Sequence, residues 1–311
     1  MRQLQSSKQR GPAGLLPGLF TGLCRAALPA LMLFGLTGCY SIRTHTVGRT
    51  VVVTKVLDAT LDQLLTQLAK QDDSIQTMNA KVDITASTGG EHEGEVKELP
   101  TFSGYIFLRR PGDLRVLMLV PLARSTGLDM VSDGTHFKLN VPYKQLAVIG
   151  EDKFTDSSKN GLENLRPYIV RDALLIPTAT PDQYVTLTRG SRITPPGPGQ
   201  KDSIEEPDYD ITILSQTKDH VLEQLRVIHF GRITLQPYQQ DYYHEGRIVT
   251  TVTYDKYQKF GELTFPQSIL ITQPTNELKL KIDITKLTLN QKLDDEQFVL
   301  QFPEGAKVKT M

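Results

Sequence analysis

Alternating apolar and polar residues run through the chain from Met78 onward. In the first such segment, polar residues separate Met78, Ala80, Val82, Ile84 and Ala86. A period of two is typical of a strand with one buried face. Similar segments follow, joined by turn sequences such as Pro111-Gly112-Asp113 and Ser132-Asp133-Gly134. Short strands joined by tight turns predict an antiparallel sheet, and the length of the series predicts a large one.

The later strands are predicted at residues 102–109, 114–120, 127–131, 135–141, 145–149, 184–188, 209–215, 225–230, 233–236, 247–254, 264–272, 278–289 and 298–302. In the strand over 278–289, the apolar positions change from even to odd numbers after Ile284. This change of phase predicts a β-bulge near Thr285 and Lys286, as in a sheet that curls. Two segments rich in charge, glycine or proline, Gly89–Glu98 and Pro195–Pro207, are predicted to be loops.

Two other segments have the period of a helix. One apolar stripe consists of Leu57, Leu61, Leu64, Leu65 and Leu68, and the candidate N-caps are Asp58 and Thr60. The second segment is Leu162–Leu175, in which Pro167 suits a first turn. Together the elements predict a mainly β protein of the α+β class, in which two or three helices pack on the concave face of one large curved antiparallel sheet. So long a sheet around so few helices leaves room for an apolar cavity.

The first 38 residues differ from the rest of the chain. They contain four basic residues and no acidic one, and Ala26–Leu36 is an uncharged apolar run of eleven residues. Such a run is too short for a ~30 Å hydrocarbon core, and this arrangement is typical of a secretory signal. The ending Leu36-Thr37-Gly38-Cys39 resembles the lipobox of bacterial lipoproteins, in which cleavage leaves an acylated cysteine. The alternatives are a plain signal peptide with an incidental cysteine and an N-terminal membrane anchor.

We therefore expect a signal peptide over residues 1–38, an acylated Cys39 with a tether over residues 39–54, and a single domain over residues 55–311. Two or three acyl chains anchor a protein firmly, since each buried methylene contributes ~0.8 kcal/mol. Tyr40, and not an aspartate, follows Cys39. Under the sorting rule of enterobacterial lipoproteins this predicts the outer membrane, with the domain facing the periplasm.

Composition argues against several classes of function. The chain has 35 basic and 35 acidic side chains, which argues against nucleic acid as a partner. Both of its cysteines lie within the first 39 residues, so we expect neither a disulfide framework nor a cysteine-rich zinc site. The sequence has no GxSxG, P-loop or GxGxxG motif. We expect no cofactor and no enzymatic activity.

The six histidines do not have the spacing of a metal site. The nearest candidate is Glu91-His92-Glu93 with Glu95, interpreted as a solvated charged loop, with a metal site as the alternative. His229 lies between Ile228 and Phe230 and is interpreted as a hydrogen-bonded strand residue, with a general base as the alternative. We expect no bound metal.

Three motifs, in chain order, resemble those of the LolA/LolB family of periplasmic carriers, which move lipoproteins to the outer membrane. Gly104–Pro111 resembles the family's strand ending in Arg-Pro, and Val131–Thr135 (VSDGT) resembles its VSDGK hairpin. Phe298–Val308 resembles the family's closing strand and tail. The resemblance covers nearly all of the chain after the signal segment.

The resemblance implies an unclosed half-barrel, whose helices form a lid over an apolar cavity for acyl chains. It also implies that Arg110, which precedes the motif's proline, holds the lid closed. The candidate cavity-lining residues are Leu61, Leu65, Leu165, Tyr168, Ile169 and Leu174. The implied function is that of a lipid-anchored envelope protein that binds acyl chains of lipoproteins or lipids, in lipoprotein localisation or transport. The alternative is a non-catalytic interaction or sensing module of the same fold, with other envelope proteins as partners.

Overall fold

The computed structural model describes residues 49–92, 94–152 and 166–311. The predicted signal peptide, Cys39 and Leu165 lie outside these ranges. The described strands are β1 (Thr50–Val52), β2 (Thr77–Thr88), β3 (Lys97–Glu98), β4 (Phe102–Arg109), β5 (Asp113–Leu119), β6 (Thr126–Ser132), β7 (His136–Val141), β8 (Leu146–Glu151), β9 (Tyr184–Thr194), β10 (Ser203–Gln216), β11 (Leu222–Gly231), β12 (Gln236–His244), β13 (Arg247–Phe260), β14 (Leu263–Gln273), β15 (Leu278–Leu289) and β16 (Val308–Thr310). The described α-helices are α1 (Leu61–Asp73) and α2 (Pro167–Leu175), and short 3-10 helices lie at Pro142–Lys144 and Asp295–Phe298.

All sixteen described strands belong to one sheet, which does not close into a barrel. The order along the sheet is β1-β10-β11-β12-β13-β14-β15-β2-β4-β5-β6-β7-β8-β16, with β3 beside β2 and β9 beside β10. Neighbouring strands are antiparallel except that β1 is parallel to β10 and β16 is parallel to β8. The predicted mainly β class and the single unclosed sheet are confirmed.

The centre of the sheet shows how the alternation determines the fold. The even-numbered residues of β2 from Met78 to Ala86 are at most 2% exposed, because they face the core. β15 pairs with β2, and its register shifts between Ile284 and Lys286. The predicted bulge is therefore confirmed. Its extra residue allows the odd-numbered Leu287 to pack against the same core.

Helix α1 begins with a capping box. The hydroxyl of Thr60 accepts a hydrogen bond from the Gln63 backbone N–H (3.3 Å), and the Gln63 side chain accepts one from the Thr60 backbone N–H (2.8 Å). Leu64 and Leu68 are each 1% exposed and face the sheet core. The predicted apolar stripe thus packs on the sheet, except that Leu57 precedes the helix and is exposed.

Helix α2 begins at Pro167, which the sequence placed in a first turn. Residues 162–165 of the predicted segment Leu162–Leu175 lie outside the described ranges. The helix is fixed by a carboxylate from another element. Asp152, which follows β8, is fully buried and accepts hydrogen bonds from the Tyr168 backbone N–H and from Arg171 Nη1, both at 3.0 Å. This carboxylate satisfies an N–H of the first helical turn, which has no intrahelical partner. The helix is therefore held against the end of β8.

Several segment predictions were wrong, and one of them is the loop Gly89–Glu98, whose last two residues form β3 beside β2. Residues 233–236 were predicted as a strand, but Leu235 has a φ of 55° and lies in a turn that precedes β12. Residues 298–302 were also predicted as a strand, whereas the closing strand is β16. The predicted loop Pro195–Pro207 is shorter, because β10 starts at Ser203, where β1 pairs with it. The sequence prediction also missed β12, whose polar residues hide its alternation.

Candidate functional site

An open groove of about 940 Å³ lies between α1 and the sheet. One wall is a polar face of α1, and the other is formed by the β13–β14 hairpin and the end of β15. Binding sites for small ligands commonly have volumes of about 300–1,000 Å³. The groove is therefore large enough for a lipid chain or a short peptide.

The groove has an apolar side and a polar side. Phe260, Leu263, Leu287 and Leu289 are partly buried and line it from the sheet. The α1 wall contributes glutamines at four-residue intervals, which lie on one helix face: Gln63, Gln67 and Gln71. A ligand that is apolar along one side and polar along the other matches this distribution.

The residues predicted to line a cavity lie elsewhere. Ile169 and Leu174 are 5% and 1% exposed and belong to the common core of helices and sheet. Leu61, Leu65 and Tyr168 are partly buried and pack against the same core. None of these five residues lines the groove, and their role in ligand binding stays a prediction.

Sequence reasoning missed the groove residues themselves. A hairpin was readable at Phe260-Gly261-Glu262-Leu263, where Gly261 has a positive φ of 65°. The position of this hairpin opposite α1 depends on strand order, which no local pattern contains. The groove therefore emerges only from the tertiary structure.

Arg110 holds the C-terminal end of α1. Its Nε donates to the carbonyl of Ile75 (2.8 Å) and its Nη2 to the carbonyl of Asp72 (2.9 Å), and Nη2 lies 2.5 Å from Asp72 Oδ1. A cation at the last carbonyls of a helix satisfies exposed acceptors and interacts favourably with the helix dipole. Arg110 thus links α1 to the turn between β4 and β5.

Two of the motif turns are in contact beside Arg110. A Cβ on Gly112 would lie 2.7 Å from the carbonyl oxygen of Asp133 and 3.0 Å from Gly134 Cα. Only glycine permits this approach, and Gly134 also has a positive φ of 89°. The Arg-Pro-Gly and Ser-Asp-Gly turns therefore form one close-packed support for the backbone of Arg110.

A second cavity, of about 460 Å³, lies beside this support. It is lined by charged side chains from both helices and both turns, including Asp72, Arg110, Arg171 and Asp172. Burial raises the pKa of Asp172 to about 6, although Arg171 and Arg226 act against this. Burial likewise raises the pKa of Asp72, against the attraction of Arg110. This cavity is polar and does not suit an acyl chain.

A buried polar cluster lies on the core side of the sheet. Arg226 is 7% exposed and donates to Gln240 Oε1 (3.3 Å) and to the carbonyl of Pro177, which follows α2. Gln240 is fully buried and bonds to the hydroxyl of Tyr254. These bonds attach the segment after α2 to β11 and β12, and they explain why the core-facing residues of β12 are polar.

His229 lies on the opposite face of the sheet, between two carboxylates. Its Nδ1 is 2.6 Å from Asp210 Oδ1, and its Nε2 is 3.1 Å from Asp241 Oδ2. Burial alone would lower the pKa of His229, but these hydrogen bonds raise this pKa to about 9. The ring is therefore protonated at neutral pH, in agreement with its interpretation as a hydrogen-bonded strand residue.

The histidine of the possible metal site Glu91-His92-Glu93 pairs with Glu277, which lies outside that segment. His92 is exposed, and its backbone N–H and Nδ1 lie 2.6 Å and 2.8 Å from Glu277 Oε1. In the ranges that the structure describes, no three His, Cys, Asp or Glu side chains are placed to hold a metal ion. Over the same ranges, none of the helices has the length and apolar character needed to cross a membrane.

Comparison with known proteins finds similar structures but no similar sequences. No protein-family profile and no curated protein match the chain. A LolA superfamily protein from Nitrosomonas europaea is 14% identical, with 78% of this chain and 99% of that chain covered and a TM-score of 0.47. A DUF1329 family protein from Desulfovibrio piger is 15% identical, with 76% and 94% covered and a TM-score of 0.49.

A third similar structure is an outer membrane lipoprotein-sorting protein domain from Vibrio parahaemolyticus. It is 10% identical, with 76% of this chain and 94% of that chain covered and a TM-score of 0.44. This protein is thus similar to structures of the LolA superfamily, of the DUF1329 family and of a lipoprotein-sorting domain.

Proposed function

We propose that this protein is a lipid-anchored envelope protein that binds acyl chains of lipoproteins or lipids and serves in lipoprotein localisation or transport. The observation that carries the proposal is the groove between α1 and the sheet. It combines a suitable volume, a partly buried apolar side and a polar helix face. An acyl chain would contact the sheet side, and the ester or peptide portion of the ligand would contact the glutamines of α1.

The energetics of such binding are favourable without a charged contact. A 16-carbon chain transferred from water gains at most ~13 kcal/mol, at ~0.8 kcal/mol per methylene. Ordering of the chain and of the protein reduces this value. Micromolar affinity corresponds to about 8 kcal/mol, so a fully buried chain reaches it when these ordering costs stay below about 5 kcal/mol.

We further propose that the chain is exported and anchored. Residues 1–38 would be removed as a signal peptide and Cys39 acylated, with the described domain held at the outer membrane on its periplasmic side. Part of the predicted tether, Thr50–Val52, forms β1 at the side of β10. The tether would then end before Thr50.

In the proposed mechanism, Arg110 controls access to the interior. Its bonds to Asp72 and Ile75 hold α1 on the sheet. If this end of α1 lifts, the residues beneath the helices would become available to a ligand. Among them would be the predicted lining residues Leu61, Leu65, Tyr168, Ile169 and Leu174.

The experiment uses the full chain, produced in a Gram-negative host and purified from membranes in mild detergent. Native mass spectrometry and extraction would quantify bound lipid for three proteins: the wild type, Leu263→Asp and Ile248→Asp. Leu263 lines the groove, whereas Ile248 is an exposed apolar residue outside it. We expect the groove variant to lose bound lipid about tenfold and the control to retain it.

Equal lipid content in all three proteins would contradict binding in the groove. A wild-type protein that neither carries lipid after purification nor binds lipid added to it would contradict the proposed function. This result would favour the interaction module. The anchor is tested separately, because Cys39→Ser should abolish acylation measured by mass and leave groove binding unchanged.

A further inference from the structure

Strand β9 forms an open edge of the sheet. It pairs only with β10 among the described residues, through eleven consecutive residue pairs without a register shift. Most of its residues are exposed, including Ile193 at 63%. A regular edge strand of this length presents a row of backbone groups that can pair with another strand.

The register shows which backbone groups face outward. In β10, the carbonyls of Glu205 and Pro207 point away from β9, because they accept from Val53 N (2.9 Å) and Arg232 N (3.1 Å). Successive residues of a strand point their backbone groups to opposite sides, so the even-numbered residues of β10 bond to β9. Their partners in β9 are also even-numbered. The outward-facing groups therefore belong to Val185, Leu187, Arg189, Ser191 and Ile193.

Among the described residues, no further strand covers this edge, and several common protections against pairing are missing from β9. Proteins commonly place lysine, proline, a bulge or a covering segment at such edges. β9 contains neither lysine nor proline. Of its two arginines, Arg192 is paired with Glu206 and lies over the Tyr238 ring, whereas Arg189 lies 5.8 Å from the Tyr209 ring and its side chain is 70% exposed. The other end of the sheet differs, because the short strand β16 covers β8.

We propose that β9 is the interface of a homodimer, in which two copies pair through antiparallel β9 strands about a twofold axis at Gly190. In this register Leu187 lies opposite Ile193 of the second copy, and Arg189 opposite Ser191. These odd-numbered pairs exchange about eight backbone hydrogen bonds in total. One continuous sheet then runs through both copies.

Like-charge repulsion disfavours two of the neighbouring registers. A twofold axis at Arg189 or at Arg192 would place two like charges directly opposite each other, which is destabilising. At Gly190, the two central Cα atoms approach to about 4.5 Å without a side chain between them. The pairing ends where Pro195 follows the strand, because proline has no N–H to donate.

The test measures the oligomeric state of the full chain in mild detergent by analytical ultracentrifugation. The diagnostic variant is Ser191→Pro, because the Ser191 N–H points outward and proline there leaves the β10 bonds intact. Ser191→Ala is the matched control, since it also loses the hydroxyl bond to Glu205 (2.7 Å) but keeps the N–H. We expect a dimer for the wild type and for Ser191→Ala, and at least a tenfold weaker association for Ser191→Pro.

Hydrogen exchange supplies a second measurement that does not depend on one variant. In the wild type, the amides of Leu187, Arg189, Ser191 and Ile193 should become protected as the protein concentration rises. Should Ser191→Pro fail to fold, Ile193→Lys places a charge at the exposed edge and should weaken the dimer similarly. A wild type that stays monomeric at 100-fold different concentrations, or a dimer unaffected by both variants, would overturn the proposal.

Discussion

At the scale of single residues, the hydrogen bonds of the two ring nitrogens of His229 explain why the ring is protonated. Asp210 and Asp241 each accept from one ring nitrogen, and Asp241 also accepts from Thr251 Oγ1 (2.7 Å) and Gln239 Nε2 (2.8 Å). Asp241 is 5% exposed, so its charge requires these partners. The cation therefore joins β10, β11 and β12 on the outer face of the sheet.

The raised pKa of His229 makes stability depend on pH. A folded pKa of about 9, against 6.5 in the unfolded chain, contributes stability that is complete below pH 6.5 and is lost as the pH rises through 9. The contribution is on the order of 3 kcal/mol. Urea unfolding at pH 6 and pH 9.5 should show this loss for the wild type.

His229→Gln should remove most of this difference and lower the stability at pH 6 by about 3 kcal/mol, because two carboxylates lose their cation. The control is His244→Gln, which changes an exposed histidine of the same strand system. An unchanged pH dependence in His229→Gln would contradict this account.

The choice of helix cap was open in the sequence and is settled by tertiary contacts. Asp58 and Thr60 both precede the apolar stripe. Asp58 Oδ1 accepts from Arg232 Nη2 (2.5 Å) and from the Tyr209 hydroxyl (3.0 Å), so it is engaged elsewhere. Thr60 therefore caps α1. Both partners of Asp58 are more than 140 residues away in sequence, which no local pattern can reveal.

Thr60→Ala should lower the free energy of unfolding by about 1 kcal/mol, because the Gln63 N–H loses its acceptor. Thermal and urea unfolding would measure the change. Thr60→Ser keeps a hydroxyl and should differ little from the wild type. A loss of the same size in Thr60→Ser would show that capping is not the cause.

At the scale of elements, α1 depends on a turn that is remote in sequence. The helix buries Leu64 and Leu68, while Arg110 holds its C-terminal end. The periodicity of α1 was readable from sequence. The attachment of α1 to the sheet could not be read in the same way, because it depends on the strand order that brings the β4–β5 turn to Ile75. The resemblance to the carrier family indicated Arg110, and the structure identifies the carbonyls that it contacts.

Arg110→Leu should loosen the last turn of α1. We expect the amides of this turn to exchange about tenfold faster, equivalent to about 1.4 kcal/mol, because two carbonyls and Asp72 lose their partner. Arg109→Leu is the control, since the side chain of Arg109 bonds to Asp113, Leu293 and Asp295, all of which lie outside α1. Equal effects of the two variants would contradict a specific role for Arg110.

Strand β12 shows the limit of pattern reading at this scale. Its core-facing Gln240 is fully buried, because Arg226 and Tyr254 supply its hydrogen bonds. A buried strand normally has apolar residues on its core face, and binary patterning rests on that rule. Where a polar network replaces apolar packing, the alternation disappears from the sequence.

At the scale of the whole molecule, the two ends of the sheet differ. The β8 edge is covered by β16, whose pairing extends to a bond from Met311 N to the Ile149 carbonyl (2.9 Å). The β9 edge pairs with no further strand in the part of the chain that the structure describes. An unclosed sheet needs protection at both ends.

Removal of residues 308–311 should therefore uncover β8. We expect the free energy of unfolding to fall by about 2 kcal/mol and the protein to associate as its concentration rises, since the edge becomes available. Unfolding and light scattering would measure the two effects. The control Val308→Ala keeps the β16 backbone. Its free energy of unfolding and its association should stay close to those of the wild type.

Local sequence patterns were enough to predict the mainly β class, most strands, the bulge near Thr285 and the apolar stripe of α1. These features follow from local periodicity, which depends only on neighbouring residues. The groove, the choice of Thr60 as cap, the position of β12 and the contacts of Arg110, Arg226 and His229 were decided by the tertiary structure. Each of them joins residues from different strands or helices, and their meeting depends on the order in which sixteen strands pair.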